Sequence, residues 1–248
     1  MKPDKASLGY RAVTAAEKTR VVAHYLDAIA HRYDLADTLL SFGLHHVWKR
    51  RTVRLLGLQK GQRVLDACGG TADLALRAGR PVGPEGLVVG YDISRAMLEM
   101  GRAKVNRSGE PLPVPFVQGD AESISFPDGT FDAVMVGFGL RNLAHPFVGM
   151  REMFRVLRRG GRLTCLEFAV PGTALLRWLY HFYSFVVMPR AGKLITGARE
   201  PFSYLAESIR VFPAPEKVAE VMREMGFSGV GVKRLSGGIA VVYSAVRE

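Results

Sequence analysis

Three carboxylates stand at or just past the ends of short apolar runs. Asp66 lies in Arg63-Val64-Leu65-Asp66-Ala67-Cys68, Asp92 follows Leu87-Val88-Val89-Gly90-Tyr91, and Asp120 follows Val114 to Gln118. The first run passes into Gly69-Gly70-Thr71-Ala72-Asp73. Glycines there let the backbone approach a ligand closely, and Thr71 offers a hydroxyl and an amide where a helix begins. A carboxylate about twenty residues past such a loop can accept hydrogen bonds from a ribose diol. The spacing departs from the dinucleotide pattern G-x-G-x-x-G, which weakens a nicotinamide or flavin cofactor. Taken singly, each feature has an ordinary explanation: a tight turn for the glycines, a helix cap or solvated loop for an aspartate. Three carboxylates facing one crevice favour a ligand that carries a diol and a positive charge.

These residues need a scaffold. From Lys18 to Tyr33 the apolar Val22, Tyr25, Leu26, Ile29 and Tyr33 recur at helical spacing, predicting an amphipathic helix. A second helical stretch starts near Asp34, breaks at Ser41-Phe42-Gly43 as a hinge or binding elbow, and resumes through Trp48 to Leu56. Strand-length runs follow at Arg63–Cys68, Leu87–Tyr91, Val114–Gln118, Phe131–Val136 and Arg162–Val170. Between them the sequence predicts helices: one from the glycine loop to Arg77, one capped by Ser94 and running to about Asn106, and one through Phe147 to Leu157 that stops at Gly160-Gly161. This alternation makes a doubly wound, mostly parallel α/β sheet the economical fold, with ligands bound beyond the carboxyl ends of its strands. Helices are then predicted at Thr173–Met188, Tyr204–Val211 and Pro215–Met225, and an antiparallel hairpin at Val230–Leu235 and Ile239–Val246, turning at Ser236-Gly237-Gly238. The chain divides into a helical cap (1–60), a cofactor-binding α/β core (61–171), a helical segment that covers the substrate (172–212), and a closing helix and hairpin (213–248).

S-adenosylmethionine carries both a diol and a positive charge. Asp92 is expected to hold its ribose, Asp120 with the Ala121 amide to read the adenine edge, and Asp66 with Gly69, Gly70 and Thr71 to hold the methionyl part. The 248 residues carry 34 Lys and Arg against 23 Asp and Glu, a net charge of +11 that suits nucleic acid, anionic headgroups or acidic substrates without choosing among them. Two cysteines, Cys68 and Cys165, cannot build a disulfide framework or a four-thiolate zinc site, and no metal cluster is expected. That usage, with no apolar leader near Lys2, Asp4, Lys5 and Arg11, predicts a cytoplasmic protein. Arg177, His181 and Arg190 leave the apolar stretch near 173–188 short of the ~20 residues of a membrane span, so it is expected to lie on a membrane at most.

The chain resembles the ubiquinone/menaquinone biosynthesis C-methyltransferases, a family of class I S-adenosylmethionine enzymes with a Rossmann-like sheet. The resemblance is carried by Tyr33-Asp34, Ser41-Phe42-Gly43, Trp48-Lys49-Arg50, the Asp66–Asp73 loop, Asp92, Phe138-Gly139-Leu140-Arg141-Asn142, Arg155-Val156-Leu157, Leu166-Glu167-Phe168, Met188-Pro189-Arg190 and Tyr204-Leu205-Ala206-Glu207-Ser208. Three places depart from the family pattern: Ala72 where glycine is usual, Gly137 where many members carry serine and which bears on one cofactor hydrogen bond, and the 197–201 stretch, which is less acidic here.

The resemblance implies methylation of a ring carbon of a reduced polyprenyl quinone, a demethylmenaquinol or the equivalent ubiquinol precursor. Ring carbon is nucleophilic only when a neighbouring hydroxyl is ionised, so such a site needs donors near the hydroxyl and a base near the carbon. Arg141, just past the fourth predicted strand, is expected to stabilise the oxyanion and Asn142 to orient a hydroxyl; Tyr33, His46 and Glu167 are weaker candidates for closing the site or relaying a proton. The partners implied are a lipid-soluble quinol and an anionic membrane, met by Lys49-Arg50-Arg51, Arg54, Arg190 and Lys193. A homodimer is left open. No nucleic acid is expected, since the Asn/Asp-Pro-Pro-aromatic tetrad of amino methylases is replaced by Gly137-Phe138-Gly139-Leu140. Methylation of RNA or another small molecule, and a non-catalytic lipid- or partner-binding role, are the alternatives.

Overall fold

The computed structural model describes residues 4–109 and 114–248. The chain opens with an antiparallel ribbon, β1 (Lys5–Leu8) and β2 (Arg11–Thr14), which the sequence reading missed because four residues per strand give almost no alternation to read. Thr14 then starts α1 (Ala15–Ile29), its hydroxyl accepting from the Glu17 amide at 3.1 Å. Next come α2 (Tyr33–Leu40) and α3 (Leu44–Leu56), separated by an elbow in which Phe42 and Gly43 are left-handed.

The core alternates β3 (Arg63–Ala67), α4 (Asp73–Val82), β4 (Leu87–Asp92), α5 (Arg95–Ser108), β5 (Phe116–Gln118), β6 (Phe131–Gly137), α6 (Pro146–Val156) and β7 (Leu157–Phe168). After it come α7 (Ala174–Phe182), α8 (Met188–Thr196), α9 (Glu200–Val211), α10 (Pro215–Glu224), β8 (Phe227–Leu235) and β9 (Ala240–Arg247). The large sheet has the order β5-β4-β3-β6-β7-β9-β8. Its first five strands are parallel, and β9 and β8 close one edge antiparallel, as expected. Val64, Leu65, Ala67, Val134, Met135 and Val136 are wholly buried, which is why these strands read as unbroken apolar runs: helices cover both faces.

The chain leaves β3 toward β4 on one side and returns to β6 on the other, so a crevice opens where the winding reverses. In-register pairing of Ala67 with Tyr91 and with Val136 brings the ends of all three strands to that crevice.

Two expectations are corrected. Gly160-Gly161 does not stop a helix; α6 ends at Val156 and both glycines lie inside β7. Pairing jumps from Phe131–Leu157 to Ala133–Arg162, and Gly160 adopts φ +75° in the irregularity between, so these glycines serve a bulge. Nor is 173–188 one regular helix. A π-helical turn, Tyr183–Val187, joins α7 to α8. Pro189 lacks the amide that would continue the regular ladder, and the helix widens in the turn before it. No helix of the described residues is long and apolar enough to cross a membrane.

Candidate active site

The loop after β3 is built on alternate left-handed residues, Cys68 (φ +55°), Gly70 (+50°) and Ala72 (+64°). Alanine at the third position bears a steric cost of roughly 1–2 kcal/mol that glycine would not. The loop holds its shape because Asp66 and Asp92 brace it. Asp66 Oδ2 accepts from the Ala75 amide at the start of α4, 2.9 Å away, and burial pushes its carboxyl up to about 8. Asp92 Oδ2 accepts from the Gly70 amide and Oδ1 from the Ser94 amide, each at 2.9 Å, and burial raises this carboxyl as well. Asp120 Oδ1 takes the Glu122 amide at 2.8 Å, holding the turn that presents the buried Ala121.

Of the expected cofactor residues, Gly70, Asp92, Asp120, Ala121 and Gly137 line one cleft at the crevice, with Tyr33 and Asn142 at its inner end. Asp66, Gly69 and Thr71 stand behind that lining. The Thr71 hydroxyl turns to the cap, donating to Asp34 Oδ1 at 2.6 Å. The cleft fits S-adenosylmethionine in its chemistry: its charged side chains are Asp92, Asp120 and Glu122, with no lysine, arginine or histidine to oppose a sulfonium.

A second cavity, about 300 Å³, meets the cleft at Val22, Leu26, Tyr33, Phe138 and Asn142. Its walls are apolar and aromatic, drawn from α1, the α2–α3 elbow, α7 and α9, and its only charged side chains are Arg141 and Asp37. Arg141 is 9 % exposed and follows β6 in a short turn of helix. Its Nη1 donates to Glu167 Oε2 at 3.0 Å and to the Phe138 carbonyl, its amide donates to Glu167 Oε1 at 3.1 Å, and its guanidinium lies 5.3 Å from the Phe168 ring centre. Despite the burial that opposes charge, Glu167 holds the guanidinium above its usual pKa. Arg141 Nε and Asn142 Oδ1 are both buried without a hydrogen-bond partner. Burial also raises the Tyr33 hydroxyl, so Tyr33 stays a phenol and cannot serve as a base near neutrality.

His46 is not brought to either cavity. It is exposed on α3, with Nδ1 3.0 Å from the Arg77 guanidinium, and its expected catalytic role is withdrawn. Lys49 is corrected too: far from meeting headgroups, its buried ammonium lies 2.6 Å from Asp37 and 2.8 Å from Asp73. Burial opposes that charge, yet the two carboxylates hold Lys49 above its usual pKa and Lys49 with Lys104 holds Asp73 well below its own. Asp37, His45 and Asp73 converge as metal ligands would, and the cation between the two carboxylates is this ammonium.

Sequence reasoning missed Tyr204, whose ring lines the larger cavity and whose hydroxyl has no partner. It also missed the packing of Trp48, Phe138 and Phe168 beside Arg141, with the two phenylalanine rings stacked at 4.2 Å. The Tyr204–Ser208 run marked the place without a role.

The sequence matches the model of the ubiE/COQ5 methyltransferase family over residues 13–247. The chain belongs to that family. Its methyl donor is S-adenosylmethionine, in agreement with the acidic cleft. It is 45 % identical over 239 residues to the ubiquinone/menaquinone biosynthesis C-methyltransferase UbiE of Pseudomonas putida F1, covering 96 % of this chain and 93 % of that one. It is 43 % identical to the protein of the same name from Pasteurella multocida, covering 95 % and 88 %. The fold resembles a SAM-dependent methyltransferase from Aquifex aeolicus (TM-score 0.58, 19 % identity, 81 % of this chain and 89 % of that one). It also resembles a Haemonchus contortus phosphoethanolamine N-methyltransferase (0.63, 15 %, 86 % and 56 %). These last two likenesses concern the class I methyltransferase fold alone.

Proposed function

We propose that this chain methylates a ring carbon of a reduced polyprenyl quinone, the acceptor arriving from a membrane surface. The observation that carries the reading is a buried arginine at the wall of a cavity of about 300 Å³ that is otherwise apolar and opens onto the cofactor cleft. Such a cavity suits a ring and the first part of a hydrocarbon tail. An RNA substrate would call for exposed base and phosphate contacts there instead.

Bound in the cleft, the cofactor supplies an electrophilic methyl group. Arg141 stabilises the acceptor as its hydroxyl ionises, Asn142 orients that oxygen, and the aromatic walls exclude water so that the guanidinium acts in a low-dielectric site. Electron density returned to the ring forms the new carbon–methyl bond as the sulfur–methyl bond breaks, its electron pair staying on sulfur. The ring carbon then loses its proton to solvent and aromaticity returns. Glu167 is spent on Arg141 and keeps that cation in one orientation.

Support for the membrane surface comes from exposed apolar side chains beside this cavity. Leu175, Trp178 and Phe182 share the outer face of α7 at 71, 66 and 52 % exposure, while Phe42 at the elbow is 78 % exposed and lies 5.9 Å from the Tyr183 ring. Arg50, Arg51, Arg54, Arg190 and Lys193 are exposed cations available to anionic headgroups.

The test is incubation with methyl-labelled S-adenosylmethionine and a chemically reduced short-chain demethylmenaquinone, beside the oxidised quinone and bulk RNA. Label in the reduced quinone alone is expected; label in RNA, or none despite cofactor binding, overturns the reading. Flotation with anionic vesicles tests the surface: no binding even at low salt removes it.

A further inference from the structure

Two donors face the larger cavity with nothing to bind. Tyr204 on α9 and Arg141 after β6 both line it, and both the Tyr204 hydroxyl and Arg141 Nε are buried without a hydrogen-bond partner. Buried polar groups are normally satisfied, so an unsatisfied pair beside one cavity marks a place for a ligand atom. The positions are held from outside. Nη1 of Arg141 is committed to Glu167 and the Phe138 carbonyl, which fixes the guanidinium plane. Tyr204 packs among Leu8, Val22 and Tyr25, its ring 5.9 Å from that of Tyr25. The helix bearing it is tied to the N-terminal ribbon where the Tyr10 amide donates to Glu207 Oε2 at 3.2 Å.

Burial raises the Tyr204 hydroxyl above its usual pKa. It therefore remains a neutral phenol near neutrality and donates a proton to a hydrogen bond rather than taking one. Arg141 Nε is likewise only a donor. Two donors and no competing acceptor suit an oxygen that becomes negative.

We propose that the Tyr204 hydroxyl and Arg141 Nε together receive one ring oxygen of the acceptor and bind it more tightly as it ionises, making Tyr204 a second catalytic residue. This rests on the ring-hydroxyl acceptor proposed above. It assigns the oxyanion two donors from elements far apart in sequence, so α9 must be docked before the site is complete.

The test uses two air-stable rings, 2-hydroxy-1,4-naphthoquinone, an anion at neutral pH, and menadione, which cannot ionise. Affinities are measured by titration against cofactor-loaded wild-type protein, Tyr204→Phe and Arg141→Lys. Wild type is expected to prefer the anion. Tyr204→Phe, which removes one unpaired oxygen atom, should cut that preference about tenfold while leaving menadione affinity, cofactor affinity and thermal midpoint unchanged. Arg141→Lys keeps the charge and loses Nε, and should cut it as well. With reduced demethylmenaquinone, Tyr204→Phe should lower kcat about 10²-fold with little change in KM. Equal weakening of both rings by Tyr204→Phe, or an unchanged preference, overturns the proposal alone. Wild-type protein that binds cofactor but neither ring overturns the acceptor reading and this proposal with it.

Discussion

Arg141 and Glu167 meet twice: the guanidinium Nη1 lies 3.0 Å from one carboxylate oxygen, and the Arg141 amide lies 3.1 Å from the other. Glu167 is fully enclosed and also takes the Phe168 amide at 3.1 Å, so it is held at β7 before it holds Arg141. Glu167→Gln should therefore lower kcat on the reduced quinone at least tenfold while cofactor affinity stays at the wild-type value. Arg141→Ala should cost about 10²–10³-fold. Steady-state kinetics beside calorimetric cofactor titration checks both; equal loss of cofactor binding would place the pair in the fold rather than the reaction.

Asp92 accepts the Gly70 amide, so it shapes the cofactor loop as well as lining the cleft. Asp92→Ala is expected to weaken S-adenosylmethionine binding at least tenfold and to lower the thermal midpoint of the ligand-free protein. Calorimetry and a melt without ligand separate the two effects.

Gly137 and Gly139 differ in what surrounds them. A Cβ on Gly137 would stand 2.8 Å from Leu74 Cδ1, the tip of a side chain that can rotate, whereas one on Gly139 would stand 2.3 Å from Cys68 Cβ, next to the backbone of the left-handed loop. Gly137→Ser should fold with a melting point within a few degrees of wild type, and Gly139→Ala should lose cofactor binding or soluble expression. The contrast is read by thermal melts of the two variants side by side.

Asp66 gives a pH dependence of known sign. Burial raises its carboxyl to about 8 in the folded protein against 3.8 for a free side chain, so between those values the native state binds the extra proton. Stability from this group is therefore present at low pH and falls as pH rises through about 8. Asp66→Asn keeps an acceptor for the Ala75 amide and removes the titration. The wild-type melting point should drop relative to the variant between pH 6 and pH 9, and parallel curves would refute it.

Lys49→Met leaves Asp37 and Asp73 close together without their shared cation. Breaking a buried pair in this way costs about 3–5 kcal/mol, and Asp37→Asn in the same chain should recover part of it. Denaturant unfolding of the single and double variants measures the recovery.

The sheet and its ligand-binding edge were readable because β3, β4 and β6 are buried on both faces and each ends in a turn or carboxylate residue. The acidic cleft followed from those strand ends. What escaped reading depends on contacts distant in sequence. Lys49 sits in a basic run, and nothing local says that it turns inward to Asp73. His46 and His45 are neighbours, yet His45 is buried and His46 exposed, a difference set by which face of α3 meets the core. Tyr204 stands out only once its hydroxyl is seen to lack a partner.

The ammonium of Lys49 joins α3 of the cap to α4 of the core through Asp73, while Lys104 of α5 reaches both Asp73 and Asp34 of α2. Four helices thus share one charge network, and none of its members can leave without exposing a charge of opposite sign. The cap is in this sense no module: cut at residue 60, the remaining chain would lose the Lys49 that Asp73 requires. Amide protons of α3 should accordingly exchange with deuterium in the same slow phase as those of α4, through one shared opening.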